Sequence, residues 1–398
     1  MKILFVLPSY EPAWAYGGVV RCTSILCQGL FANGNEVTVY TTNTSGTEDP
    51  LDVPLNLCVN RGGVNVYYFA PSWSKASNFH SQDLVAKLRS TVTQFDIVYS
   101  GAIWQWLVIA TASICHYHHI PLVLGIHGSF DTQLRKYGFL KKNIFRYLFL
   151  NRALDQATAI HLTTKKEIRE SSDWLQNRPS FIVPNPTDEN NFFVLPESRD
   201  HFRQQYQIPE SANVLITVGR PDWMKRVDLL VKSLVTNSNW YLVIVGDDKH
   251  ERALLWKAMA KKLGVDERIV WTGYLTGQEL LIAYSSADLF ALMSEGENFG
   301  MVVVEALLVG LPILVSQQVG VWEILADKEV GAAIPLDLSA ISNAMQDFQQ
   351  NRLLWQKRAN NARFVATTQF SSLKVSALMQ EAFIDVISGH RSTHLDWS

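Results

Sequence analysis

Residues 287–312 read ADLFALMSEGENFGMVVVEALLVGLP, and their order of textures decides the fold. A short apolar run, ADLFALMS, has the length and composition of a buried strand. A glycine-bearing loop follows, then an apolar helix-forming run after Gly300, then a second β-branched run, LPILVS. Strand, glycine loop, helix and strand make one unit of a parallel α/β sheet. Gly300 lets a ligand approach the backbone closely, and the N–H groups of Met301 and its successors would face an anion at the helix start. Glu297 lies in the loop and Glu305 one turn into the helix, eight positions on. This spacing suits a nucleotide diphosphate sugar, with phosphate over the helix start, one carboxylate at the sugar and the other at ribose hydroxyls. The competing reading is a buried helix whose Glu305 makes an ordinary structural contact.

The same alternation extends outward in both directions. The first half carries KILFVLPS, EVTVYTT, VNVYYFAP, FDIVYSG, PLVLGIHG and ATAIHLTT, and the second carries NVLITVGR, WYLVIVGD, RIVWTGYL, ADLFALMS and LPILVS. Between them PNPTDENNFFVLP clusters prolines, asparagines and acids in the manner of a linker. The fold class is therefore α/β, with two doubly wound parallel sheets over residues 1–190 and 191–372. The last stretch, about 373–398, can close either domain and can pack back on the first. A length of 398 residues fits two domains, since single cores stop growing at roughly 250–300 residues.

Composition excludes several function classes. With 35 Lys and Arg against 37 Asp and Glu, the net charge is −2, so no global field draws the chain to nucleic acid. Cys22, Cys27, Cys58 and Cys115 have neither metal-knuckle spacing nor the density of a disulfide scaffold, and a reducing cytoplasm is the natural compartment. The opening MKILFVLPSY is cut short by Pro8 and reads as a first strand rather than a signal peptide. No run of about 18 apolar residues suggests a membrane span. No G-x-G-x-x-G follows a strand and there is no P-loop, which weakens a dehydrogenase or an NTPase reading.

Function must then be sought in the loops at strand ends. After NVLITVGR stand Arg220, Lys225 and Arg226; an Arg fork and a Lys point charge would neutralise a departing diphosphate. A solvated basic loop is the plainer alternative. Gly17 and Gly18 open the first helix and would let backbone amides reach a phosphate. His127, in LGIHGSF, falls at another strand end. Between 133 and 153 the basic residues Arg135, Lys136, Lys141, Lys142, Arg146 and Arg152 alternate with aromatic and aliphatic ones, with no acid among them. Such a helix can lie on an anionic membrane surface, or it can simply line the domain with a solvated basic face. Trp14, Tyr16, Trp104 and Trp106 are candidates to stack on an acceptor sugar, or to pack. No Asp-x-Asp or His/Cys cluster stands at a strand end, so no metal or other cofactor is implied.

Taken together, these features resemble the retaining glycosyltransferases of family 4, which have the GT-B fold of two Rossmann-like domains facing across a cleft. The resemblance covers nearly the whole chain and rests most specifically on Glu297-Asn-Phe-Gly followed by Glu305 and by Gly310-Leu-Pro312. Arg220 with Lys225 matches the family's phosphate-binding pair, Gly17 and Gly18 its glycine loop, and Pro184-Asn185 its inter-domain signature. The resemblance implies that Glu297 contacts the donor sugar and Glu305 the ribose. It further implies that the amides of Asn298, Phe299 and Gly300 hold sugar and phosphate. Gly273-Tyr274-Leu275 would hold the base through backbone groups, and His127 would stand near the transferred sugar. Asn298, Arg226 and Pro186 each occupy a position where many members have Gly. The implied reaction moves a sugar, with retained configuration, from a nucleotide-diphosphate sugar to a hydroxyl acceptor, without a metal. The acceptor would be a polysaccharide, glycolipid or lipid-linked sugar reached from the cytoplasm or the inner membrane face. Rival readings are a nucleotide-sugar epimerase or a phosphorylase on the same plan, and a non-catalytic nucleotide-sugar-binding partner of another transferase.

Overall fold

The computed structural model describes residues 1–72, 79–132, 138–195, 198–391 and 395–396. The chain forms two compact units, Met1–Thr187 with Ser372–Ser398, and Asp188–Ser371.

The first unit is built on eight strands: β1 Lys2–Val6, β2 Glu36–Thr42, β3 Cys58–Arg61, β4 Val64–Phe69, β5 Ile97–Gly101, β6 Leu122–Gly125, β7 Ala159–Leu162 and β8 Ser180–Ile182. Their order is β3-β4-β2-β1-β5-β6-β7-β8. All neighbours run parallel except the edge pair β3 and β4, which are antiparallel. That edge departs from the all-parallel expectation, and β3 and β8 carry no long apolar run by which to read them. In β1, Ile3 and Phe5 enter one core and Leu4 and Val6 the other, because successive side chains point to opposite faces. Both faces are covered, so the central strands are continuously apolar. On the Phe5 face, helices Gly18–Ala32 and Ser372–Ser388 pack together. A Cβ at Gly29 would stand 2.8 Å from the Ser376 side chain, so the last helix belongs to this unit's core through Met379 and Phe383.

The second unit has six strands, β9 Asn213–Val218, β10 Trp240–Val245, β11 Ile269–Gly273, β12 Leu289–Leu292, β13 Ile313–Ser316 and β14 Gly331–Ile334. Their order is β11-β10-β9-β12-β13-β14, and every described pairing is parallel. Alternation again divides two cores, with Val214 and Ile216 on one face and Leu215 on the other. Chain direction reverses its march across each sheet once, between β1 and β5 in the first unit and between β9 and β12 in the second. Ligands of open α/β sheets sit at such switch points, outside the carboxyl ends of the strands.

Candidate active site

Two loops leave the second unit's switch point, one after β9 and one after β12, and they are stitched together. The Glu295 N–H donates to the Met224 carbonyl at 2.8 Å. The Arg226 guanidinium donates to Glu295 Oε1 at 2.6 Å, and Lys225 Nζ donates to Glu297 Oε2. Asp222 caps the short turn Trp223–Lys225 by accepting from the Met224 N–H at 2.9 Å. Arg220, by contrast, is exposed and has no hydrogen bond or ion pair among the described residues. A free guanidinium, a paired ammonium and a carboxylate thus share one strand-end region.

Arg226 shows how the chain manages without the glycine common at this position. Its backbone is left-handed, φ 46° and ψ 39°, a conformation costly for most residues. Its side chain is held by Asp228 at 3.0 Å and by Glu295. The hydrogen bond to Asp228 leads the causes that raise the guanidinium above its ordinary value. The loop keeps a glycine-like shape, and the added cation is taken up by neighbouring acids.

The loop after β12 is equally fixed. The carbonyl of Glu297 accepts from the Gly320 N–H at 2.9 Å, and that of Phe299 from the Val321 N–H at 3.0 Å. Gly300 has φ 95°, and a Cβ there would lie 3.1 Å from Val319 Cγ1, so conformation and space both require glycine. The helix Met301–Leu308 begins at that residue with no side-chain cap, leaving its first N–H groups to other partners. Glu305 is buried, and Tyr284 donates its hydroxyl to Oε2 at 3.0 Å. Phe299 is buried against Phe370. Gly273 ends β11 with φ 73°, and its carbonyl accepts from the Gly246 N–H at 3.0 Å. Tyr274 beside it is exposed. Tyr284 and Glu295 carry no signal in the sequence: one is an aromatic in an apolar helix, the other one of two acids in the same loop.

In the first unit, Gly17 has φ 81°, and a Cβ added there would meet no atom within 4 Å, so conformation alone demands glycine. Gly18 opens the helix Gly18–Ala32. Both lie in the connection after β1, beside that unit's switch point. Trp14 is exposed, and Tyr16 lies against Phe79.

His127 follows β6 with φ 42°. Its Nε2 is 2.8 Å from the Tyr99 hydroxyl, which is also 3.0 Å from Nδ1 of His161. Burial pushes the His127 imidazole down to about 4 and that of His161 to about 3, so both are neutral near pH 7. The adjoining Gly128 N–H donates to Glu167 Oε1, while Oε2 accepts from the Thr163 N–H at 2.7 Å and its hydroxyl at 2.9 Å. A buried carboxylate therefore fixes the turn that carries the histidine.

Half-buried Trp104 has its ring packed against Phe130, Phe145 and Trp174, and its indole N–H donates to the Ser129 carbonyl. The basic stretch divides between solvated and ring-packed cations. Arg135 and Lys136 lie outside the described residues. Lys141 and Arg152 are not held in this way, whereas Lys142 lies over Trp104 at 5.8 Å and Arg146 over Trp174 at 4.5 Å. Trp106 remains exposed, its ring against Phe145 and Phe149.

Two Rossmann-like units, the second gathering cations and a carboxylate at its switch point, make an α/β architecture whose charged groups stand where open sheets bind ligands. Comparison with known proteins fixes the family. The profile "Glycosyltransferase Family 4" matches residues 16–191, and "Glycosyl transferases group 1" matches 198–364. The chain is 25% identical over 386 residues to the lipopolysaccharide glucosyltransferase WaaG of Escherichia coli K12, covering 93% of this chain and 95% of that protein. It is 26% identical over 344 residues to an uncharacterized glycosyltransferase of Methanocaldococcus jannaschii, covering 82% and 83%. Among solved structures, Anabaena HepE in complex with UDP and glucose superposes with a TM-score of 0.74 at 18% identity, covering 97% of this chain and all of that one. The protein belongs to glycosyltransferase family 4, has the GT-B fold, and is an enzyme that transfers a sugar from a nucleotide sugar.

Proposed function

We propose that the second unit binds a nucleotide-diphosphate sugar at the β9/β12 switch point and that the sugar is transferred with retained configuration to a hydroxyl acceptor. The observation that carries this is the stitched loop pair, which holds Lys225 on Glu297 in the loop that opens helix Met301–Leu308, with Arg220 exposed two residues beyond β9. Arg220, Lys225 and the amides of Asn298, Phe299 and Gly300 would neutralise the diphosphate as it departs. Glu297 would hold the sugar and Glu305, oriented by Tyr284, the ribose. Gly273, Tyr274 and Leu275 would hold the base through backbone groups. In the first unit, Gly17 and Gly18 would offer amide donors to a phosphate, and His127 would meet a sugar.

Retention with a carboxylate nucleophile would need one on the far face of the ring. No residue is assigned that part, so we favour departure and attack on one face. The bond from the anomeric carbon to the phosphate oxygen breaks, the acceptor oxygen bonds to that carbon, and the acceptor proton passes to the departing phosphate. Because protein cations carry the leaving-group charge, added divalent cations should leave the rate within about twofold. The test of the whole reading is nucleotide release from a panel of UDP, GDP and ADP sugars. One donor should be consumed in the presence of acceptor with the anomeric configuration kept; inversion of configuration would refute the mechanism.

A lipid-linked or glycolipid acceptor reached at an anionic cytoplasmic membrane face is the reading we favour for the other substrate. Around Lys141, the side chains of Phe139, Leu140, Ile144, Tyr147 and Leu148 are all exposed, the combination that seats a helix at a lipid interface. No described helix is long and apolar enough to cross a membrane. Sedimentation with liposomes should show binding only when anionic lipid is present, weakening by roughly tenfold on Lys141→Glu with Leu140→Ser. Failure to bind at every lipid composition would end this part of the proposal.

A further inference from the structure

The three strands β5, β6 and β7 place Tyr99, His127 and His161 in one chain of hydrogen bonds, and the glycine between them makes it possible. Gly125 of β6 pairs in register with His161 of β7. A Cβ on Gly125 would stand 1.9 Å from the Tyr99 hydroxyl, so only a bare backbone there lets the phenol pass over β6 to reach both histidines. The direction of every proton in the chain follows from its far end. His161 Nε2 lies 2.8 Å from the carbonyl oxygen of Val183, which can only accept, so Nε2 carries the hydrogen. With both rings neutral, His161 Nδ1 holds a lone pair and accepts from the Tyr99 O–H. The phenol oxygen then accepts from His127 Nε2–H, and His127 Nδ1 is left with its lone pair bare. That atom is buried and has no hydrogen-bond partner, a deficit that a hydroxyl donor would remove.

We infer that Tyr99 and His161 are positioning residues that lock His127 in its Nε2-protonated tautomer, so that the imidazole offers Nδ1 as the acceptor for a sugar hydroxyl. The sugar contact rests on the role proposed for His127 above; the lock itself does not. A donor offering a carboxylate at that position would set lone pair against lone pair, so the site favours a sugar with a free hydroxyl there.

Histidine-selective ¹⁵N NMR of the full chain reads the tautomers directly, with His127→Asn and His161→Asn variants to assign the signals. In the wild type both rings should be Nε2-protonated. In Tyr99→Phe, which keeps the ring packing, His161 should stay so while His127 becomes a mixture. With the hexose donor found in the panel, the same variant should lose about tenfold in kcat with KM within about twofold. A wild-type His127 protonated at Nδ1, or a Tyr99→Phe spectrum and kcat unchanged from wild type, would overturn the lock. Normal turnover in His127→Ala would overturn the sugar contact, and the spectra distinguish that failure from failure of the lock.

Discussion

The two units solve opposite electrostatic problems at their strand ends. The second gathers full charges in partly exposed loops, where Lys225 meets Glu297, Arg226 meets Glu295, and Arg220 stays open to solvent. The first withdraws its polar groups into a neutral, buried chain from Val183 through His161 and Tyr99 to His127. A departing diphosphate needs permanent charge, which is tolerated only where water or an opposite charge is near. Reading a neutral sugar needs direction rather than charge, and direction comes from burial and fixed tautomers. One unit thus sets charge at its strand ends, and the other a fixed hydrogen-bond geometry.

The largest effect that would break this contrast lies in the charged unit. Glu297→Ala and Lys225→Ala should each lower turnover by about 10²–10³ while far-UV circular dichroism stays unchanged; near-normal rates in both variants would remove the charged site from the account. Gly125→Ala sharpens the other side. Its methyl would press on the Tyr99 hydroxyl, and chemical denaturation should show about 1–3 kcal/mol of lost stability, as for an overpacked core. A stability equal to wild type would mean that the phenol does not cross β6.

Acid should also separate the units. His127 and His161 titrate in the folded chain near 4 and 3, below the ordinary imidazole value of 6.5. Below about pH 6.5 the unfolded chain binds protons that the folded chain refuses, so stability should fall as pH drops toward about 4. The slope contributed by each histidine is at most about 1.4 kcal/mol per pH unit. Urea midpoints at pH 7, 6 and 5 check the sign, and His161→Phe should flatten the trend. The smallest effect is expected at Arg226. Arg226→Gly relieves the left-handed backbone but loses two partly exposed ion pairs, so unfolding free energy should change by under about 1 kcal/mol and turnover by less than about threefold.

Legibility in the sequence follows this same division. Arg220, Lys225, Glu297 and Gly300 can be read because each lies within about ten residues of a strong apolar run, and a charge or glycine at a strand end means much the same in any parallel sheet. The alternating sheets are legible for the same local reason. The short edge strands β3, β8 and β14 are not, lacking a continuous apolar signal. Tyr99 and His161 are invisible for a different reason: their meaning arises only when the register of β5, β6 and β7 brings Tyr99 into contact with residues 28 and 62 positions away. The sequence leaves open whether Trp104 stacks or packs, because its partners Phe130 and Trp174 lie far along the chain.

The central claim is that Arg220 and Lys225 hold the diphosphate of the donor. Calorimetric titration with UDP, GDP and ADP, comparing wild type with an Arg220→Ala/Lys225→Ala double variant, tests it most directly. At least one nucleotide should bind the wild type and lose about 10²–10⁴-fold in affinity in the variant, in line with about 1.5–3 kcal/mol for each of the two charged hydrogen bonds removed. Equal affinity of both proteins for that nucleotide would contradict the account.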